Sequence, residues 1–118
     1  IRPSDVINAA PAAVTGLASE VTPASARLNG SVNPHGKETT YHFEYGTSTG
    51  YGGSTPIGNA GSGTTPTSVS AHIEGLVLNT TYHCRVVATN SEGTSYGTDR
   101  TFVAKERKAA PWVGLVLF

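Results

Sequence analysis

Four histidines, one cysteine, eight acidic and eight basic side chains are the stock from which this 118-residue chain could build a reactive centre. Hydrolysis by a serine, histidine and acid triad needs three such groups fixed at one point, with the nucleophile commonly raised on a strand-to-helix elbow. The only aspartates, Asp5 and Asp99, flank the domain core, and no nucleophile elbow of the G-x-S-x-G type is expected, so an enzyme is not expected. The glycine run Gly50-Tyr51-Gly52-Gly53 superficially resembles a phosphate loop but lacks the lysine and the following helix N-terminus that would hold the anion, and it reads as a flexible turn. Histidines are the best candidate metal ligands. His42 and Glu44 are expected on the same outer strand face as His83 and Arg85, yet zinc wants three or four donors converging at about 2.0–2.3 Å, and a flat sheet face offers too few. The sequence therefore predicts no metal and no cofactor, and instead a cross-strand pairing of Glu44 with Arg85.

These side chains have to be positioned by strands. From Tyr82 the pattern alternates, and because strand side chains point to opposite faces with period two, Tyr82, Cys84, Val86 and Ala88 form a core face opposite His83, Arg85, Val87 and Thr89. Cys84 has no partner for an intramolecular disulfide and is expected to be a small buried hydrophobe. Similar alternation predicts strands over Ser25 to Val32, with Leu28 inward, over Thr39 to Tyr45, with Tyr41, Phe43 and Tyr45 inward, and over Ser68 to Glu74, with Ile73 inward. A first strand is expected near Ala13 to Ser19, a short edge strand around Ser54 to Ile57, and a last strand from Thr94 to Ala104 with Phe102 inward. Asn33-Pro34-His35-Gly36 and Ser91-Glu92-Gly93 supply turns. The expected fold is all-β: a seven-stranded antiparallel Greek-key sandwich of about 100 residues, with a single core. Fourteen glycines, seven prolines and no methionine suit short strands joined by tight turns. The cancelling charges give no field for nucleic acid.

Leu76, placed six residues before Tyr82, has the spacing of a tyrosine corner, in which the tyrosine hydroxyl bonds back to the turn just made. With Tyr41-His42-Phe43-Glu44-Tyr45-Gly46 upstream and Ala88-Thr89-Asn90-Ser91-Glu92-Gly93 downstream, the chain resembles a fibronectin type III domain of the bacterial extracellular kind. That resemblance covers roughly residues 12–104, leaving residues 1–11 as an N-terminal extension or linker and residues 105–118 as a connector and tail. It implies an extracellular or cell-surface location. Two features depart from the family: Leu28 stands where a second-strand tryptophan is usual, and the integrin-binding tripeptide is replaced by Ser91-Glu92-Gly93. Asn29-Gly30-Ser31 and Asn79-Thr80-Thr81 match the glycosylation triplet, a motif short enough to arise by chance.

Beyond the charged connector Lys105 to Lys108, the residues Trp112, Val113, Leu115, Val116, Leu117 and Phe118 make an apolar run interrupted only by Gly114. It is too short for a membrane-spanning helix, which takes about 20 residues, and its continuous apolarity is that of a strand buried on both faces. Burying its six large side chains would contribute roughly 9–18 kcal/mol, against a cost of about 1–2 kcal/mol for ordering each of seven backbone units. The expectation is a structural or assembly module whose tail docks on another copy of itself or on a neighbouring domain of a larger filament or surface assembly. The alternatives are a spacer or adhesive repeat of a secreted or surface protein, and an accessory carbohydrate-binding module with Tyr51 or Tyr96 as its platform. The chain begins at Ile1 with no signal peptide, which reads as a processed product or a fragment.

Overall fold

A computed structural model describes residues 9–106; the predicted tail, Trp112 to Phe118, lies outside the described residues. The described chain forms nine strand segments: β1 (Ala12–Thr15), β2 (Ser25–Asn33), β3 (Thr39–Gly46), β4 (Gly53–Ser54), β5 (Gly58–Gly61), β6 (Thr67–Glu74), β7 (Thr81–Asn90), β8 (Gly93–Tyr96) and β9 (Arg100–Val103). One sheet has the order β1-β2-β6; the other has the order β4-β3-β7-β8, with β5 also on β3 and β9 also on β7, and every pairing is antiparallel. The protein is an all-β antiparallel sandwich. Among the described residues no helix is long and apolar enough to cross a membrane.

Nine segments occupy seven strand positions, because β4 and β5 share one edge of the larger sheet and β8 and β9 share the other. The predicted edge strand at Ser54 to Ile57 is thus two pieces on either side of Thr55-Pro56-Ile57, where proline withholds a donor from the ladder. The single last strand expected from Thr94 to Ala104 is broken at Gly97-Thr98-Asp99. The first strand is shorter than expected, ending at Thr15, after which only a bridge between Ser19 and Arg27 continues the pairing.

Alternation places the core between the sheets. Ala26, Leu28 and Val32 of β2 and Val69 and Ile73 of β6 meet Phe43 of β3 and Tyr82, Cys84, Val86 and Ala88 of β7. Leu28 is fully buried where the resemblance would put a tryptophan. Tyr41, Tyr45 and Phe102, expected inside, are only partly buried and pack against the rim of this cluster. Phe102 stacks on Tyr82 with ring centres 5.7 Å apart. At the corner, Leu76 is buried, and its N–H donates to the Ala24 carbonyl at 2.9 Å. The Val77 N–H donates to the Tyr82 hydroxyl at 2.8 Å.

Broken edge strands leave β3 and β7 with backbone donors to satisfy, and buried threonines satisfy them. Phe43 N–H donates to Thr55 Oγ1 at 2.9 Å. Val86 N–H donates to Thr15 Oγ1 at 3.2 Å, across from the opposite sheet. Thr15 is 1% exposed, and a Cβ on Gly97 would overlap its hydroxyl and its backbone nitrogen, so only glycine fits this crossing.

Candidate functional site

The outer face of the larger sheet brings together the most chemically varied side chains of the described residues. Register sets its rows: Thr40, Thr89 and Thr94; then His42, Val87 and Tyr96; then Glu44 and Arg85; then Gly46, His83 and Thr101. Arg85 is the hub. Its Nε donates to Glu44 Oε1 at 2.8 Å, and its Nη2 reaches the same oxygen at 2.8 Å, so the cross-strand pair read from the sequence is present. The guanidinium carbon also lies 4.7 Å from the ring centre of Tyr51 and 4.3 Å from that of Tyr96, inside the range in which a ring face attracts a cation.

Tyr51 is held from both ends. Its N–H donates to the Ser48 carbonyl at 3.0 Å, and its hydroxyl donates to Asp99 Oδ1 at 2.8 Å. The other oxygen of Asp99 lies 2.8 Å from His83 Nδ1. The residue sits at φ +62°, and a Cβ on Gly46 would collide with its backbone, so the loop folds tightly onto the end of β3. This glycine-rich segment, expected to be a flexible turn, is thus tied to the sheet. Burial, helped by the hydrogen bond to Asp99 and by the charge of that carboxylate, raises the Tyr51 hydroxyl to about 12. Burial works against the ionised form of Asp99, but the hydrogen bonds from His83 and Tyr51, with the charges of His83 and Arg85, outweigh it and hold the carboxyl below its ordinary value.

Val87 is the apolar member of this outer face, where the sequence places it. It points outward between His42 and Tyr96 yet is 3% exposed, so the long side chains around it form a layer over a small apolar spot. Tyr96 remains 56% exposed above that layer. What strand alternation missed was Tyr96 and Asp99 meeting on one face. From Tyr96 to Thr101 the outer strand takes five steps while β7 takes four from Val87 to His83, a one-residue bulge that turns both side chains outward. A glycine between a tyrosine and an aspartate was the available signal.

The other candidate residues stay apart. His72 is 3.2 Å from Glu74 on the smaller sheet, and His35 contacts the Ala10 carbonyl at 2.8 Å near the start of the domain. His42 approaches Glu44 at 3.9 Å. Among the described residues no three histidine, cysteine, aspartate or glutamate side chains converge on a metal position. Cys84 is buried, which pushes its thiol up to about 11. Gly46-Thr47-Ser48-Thr49-Gly50 does spell the G-x-S-x-G of a nucleophile elbow, contrary to expectation, but it turns into β4 rather than a helix, and Ser48 Oγ accepts the Gly50 N–H at 3.2 Å. Asn29 Nδ2 donates to the Leu17 carbonyl and to Ser19 Oγ, both at 2.9 Å.

No protein-family model matches the chain, and no curated protein matches it. Among solved structures it is similar to the sensor domain of the anti-sigma factor RsgI4 of Pseudobacteroides cellulosolvens. A short form of that domain is 22% identical, with a TM-score of 0.62 over 82% of this chain and 96% of that one. Its solution structure is 20% identical, with a TM-score of 0.59 over 85% of this chain and 79% of that one. The likeness is one of fold.

Proposed function

We propose that the protein is a non-catalytic recognition module of a secreted or surface protein, working through the outer face of its larger sheet. The observation that carries this reading is the Tyr51, Arg85 and Tyr96 layer: Tyr51 and the guanidinium are held in place by Glu44, Asp99 and His83, and the Tyr96 ring lies on the guanidinium, largely open to solvent. Clamped aromatic groups make good contact surfaces because little side-chain freedom is lost when a partner arrives. The sandwich's likeness in fold to a sensor domain agrees with a binding role. Strand order and the Val77–Tyr82 bond support the reading as a fibronectin type III-like sandwich, a resemblance that implies an extracellular location. The test is a binding screen on immobilised protein with soluble polysaccharides and extended peptides. Wild type should capture at least one and Tyr96→Ala should lose it; a wild type that captures nothing, or a variant that captures equally, refutes the reading.

A second reading, assembly through the apolar tail, is favoured by where the chain leaves the sandwich. Ala104 is buried and tied to the corner, its N–H donating to the Thr80 carbonyl and its carbonyl accepting from Asn79 N–H. Val77, Leu78 and Val103 stand exposed in and beside that corner. Trp112 to Phe118 of one copy would dock there, or along an open edge strand, on another copy. Removing residues 109–118 should then reduce the particle to a monomer by light scattering, as should replacing Trp112 and Leu115 with Asp; an unchanged size excludes it.

A further inference from the structure

We propose that the Tyr51, Arg85 and Tyr96 face binds a neutral polysaccharide chain, with Tyr96 as the stacking platform; this rests on the recognition reading above. Four observations on that face select the ligand. The exposed ring of Tyr96 is backed by Arg85 at 4.3 Å, so its open side presents the negative face of an aromatic ring to solvent. A sugar ring offers the complement, a flat array of weakly positive C–H groups ringed by hydroxyls. Polar groups flank the ring on both sides: the hydroxyls of Thr89 and Thr94, 2.9 Å apart, in one direction, and His83 and Asp99 in the other. Hydroxyls, imidazole and carboxylate are donors and acceptors suited to vicinal diols.

Charge selects a neutral chain over an acidic one. The face holds one guanidinium and two imidazoles against two carboxylates, and the guanidinium is paired with Glu44 and His83 with Asp99, so the face offers an anionic polymer no cluster of positive charge. Shape selects a glycan over a peptide. The face is the flat outside of a sheet, and its apolar spot at Val87 is already covered, so no side-chain pocket is offered to a peptide. The strand edge on this face, β8 with Tyr96 followed by β9, is interrupted at Gly97-Thr98-Asp99, so a peptide added there would find only two short rows of main-chain partners.

The probes are soluble hexasaccharides of β-1,4-linked glucose, xylose and mannose, an oligogalacturonate, and a mixed set of extended peptides. Binding is read by calorimetry and by broadening of the Val87 methyl and Tyr96 ring signals. Wild type should bind at least one neutral hexasaccharide, Tyr96→Ala should weaken it by about tenfold or more, and Tyr96→Phe and the opposite-sheet variant His72→Ala should bind like wild type. If Tyr96→Ala fails to fold, the wild-type signal broadening alone locates the ligand, and broadening elsewhere overturns the proposal. Preference for oligogalacturonate overturns it too. Tyr96-dependent binding of a peptide with no sugar bound overturns the ligand class while the recognition reading stands. Sugar binding untouched by Tyr96→Ala, or no binding of any probe, overturns both.

Discussion

Replacing Tyr82 with phenylalanine isolates one hydrogen bond of the corner. The ring is 7% exposed, stacks on Phe102, and would remain in place, so buried apolar area and packing are conserved. What disappears is the acceptor for the Val77 N–H at 2.8 Å, in a partly buried position. Leaving a fully buried donor unpaired costs about 1–3 kcal/mol. Val77 itself is exposed, so water takes over part of the bond and the cost should fall in the lower half of that range, about 1–2 kcal/mol. For a domain of this size that corresponds to a fall in melting temperature of roughly 4–16 °C. Urea unfolding followed by far-ultraviolet circular dichroism gives the free energy, and hydrogen exchange gives the fate of the Val77 amide. A Tyr82→Phe protein within about 0.3 kcal/mol of wild type, with the Val77 amide still protected, would show that the corner bond does not stabilise the fold as argued.

Gly97→Ala should destabilise by about 1–3 kcal/mol, because its Cβ would meet Thr15 rather than open space; a melting curve like that of wild type would contradict the packing at the crossing. At alkaline pH the Cys84 thiol, raised from 9.0 to about 11, and the Tyr51 hydroxyl, raised from 10.0 to about 12, both hold their protons more tightly when folded. Their contribution is complete below pH 9 and fades as pH climbs through 11 and 12, so the melting temperature should fall across that window, with the early part flattened in Cys84→Ala and the later part in Tyr51→Phe. Asp99 has the opposite sign. Its folded-state value lies below 3.8, so its contribution is complete above that pH and is lost on further acidification, and the stability difference between wild type and Asp99→Asn should narrow as pH falls below 3.8; a difference that does not narrow on acidification would contradict the assignment.

Strand existence was legible because the long strands are half-buried and alternate. Ser25 to Val32, Thr39 to Tyr45, Ser68 to Glu74 and Tyr82 to Ala88 each lie inside an observed strand, and Glu44 pairs with Arg85 as same-face residues on neighbours should. The edges were not legible, because alternation is a count, and a count fails silently when one residue is added. Counting back from the inward Phe102, strict alternation turns Tyr96 into the core; the extra residue beyond Gly97 turns it out. The opposite edge has the same history. From Glu44 to Tyr41, β3 takes three steps while the outer segments take four from Ser54 to Gly58, and composition alone could not locate that insertion. Tyr51 and Tyr96 were legible as candidate platform residues, but the anchoring of Tyr51 was hidden, since a glycine-rich loop gives no sign in sequence that an aspartate 48 residues away will hold it.

The bulges and the candidate site are one feature seen twice. An edge strand that ran unbroken alongside β7 would expose a long row of unpaired backbone groups, a template for aggregation, and would also face Tyr96 and Asp99, three residues apart, to opposite sides. Breaking the strand at Gly97 shortens the open row and sends both side chains outward, where Asp99 captures Tyr51 and Tyr96 caps Arg85. The cost of the break is an unpaired donor at Val86, met by Thr15 from the other sheet, and the close approach this requires is what excludes a side chain at position 97. On this argument Gly97 and Thr15 touch none of the side chains of the face, yet they determine whether it forms. A substitution that lets the edge strand run straight would remove Tyr96 from the surface while leaving the core side chains of β7 where they are.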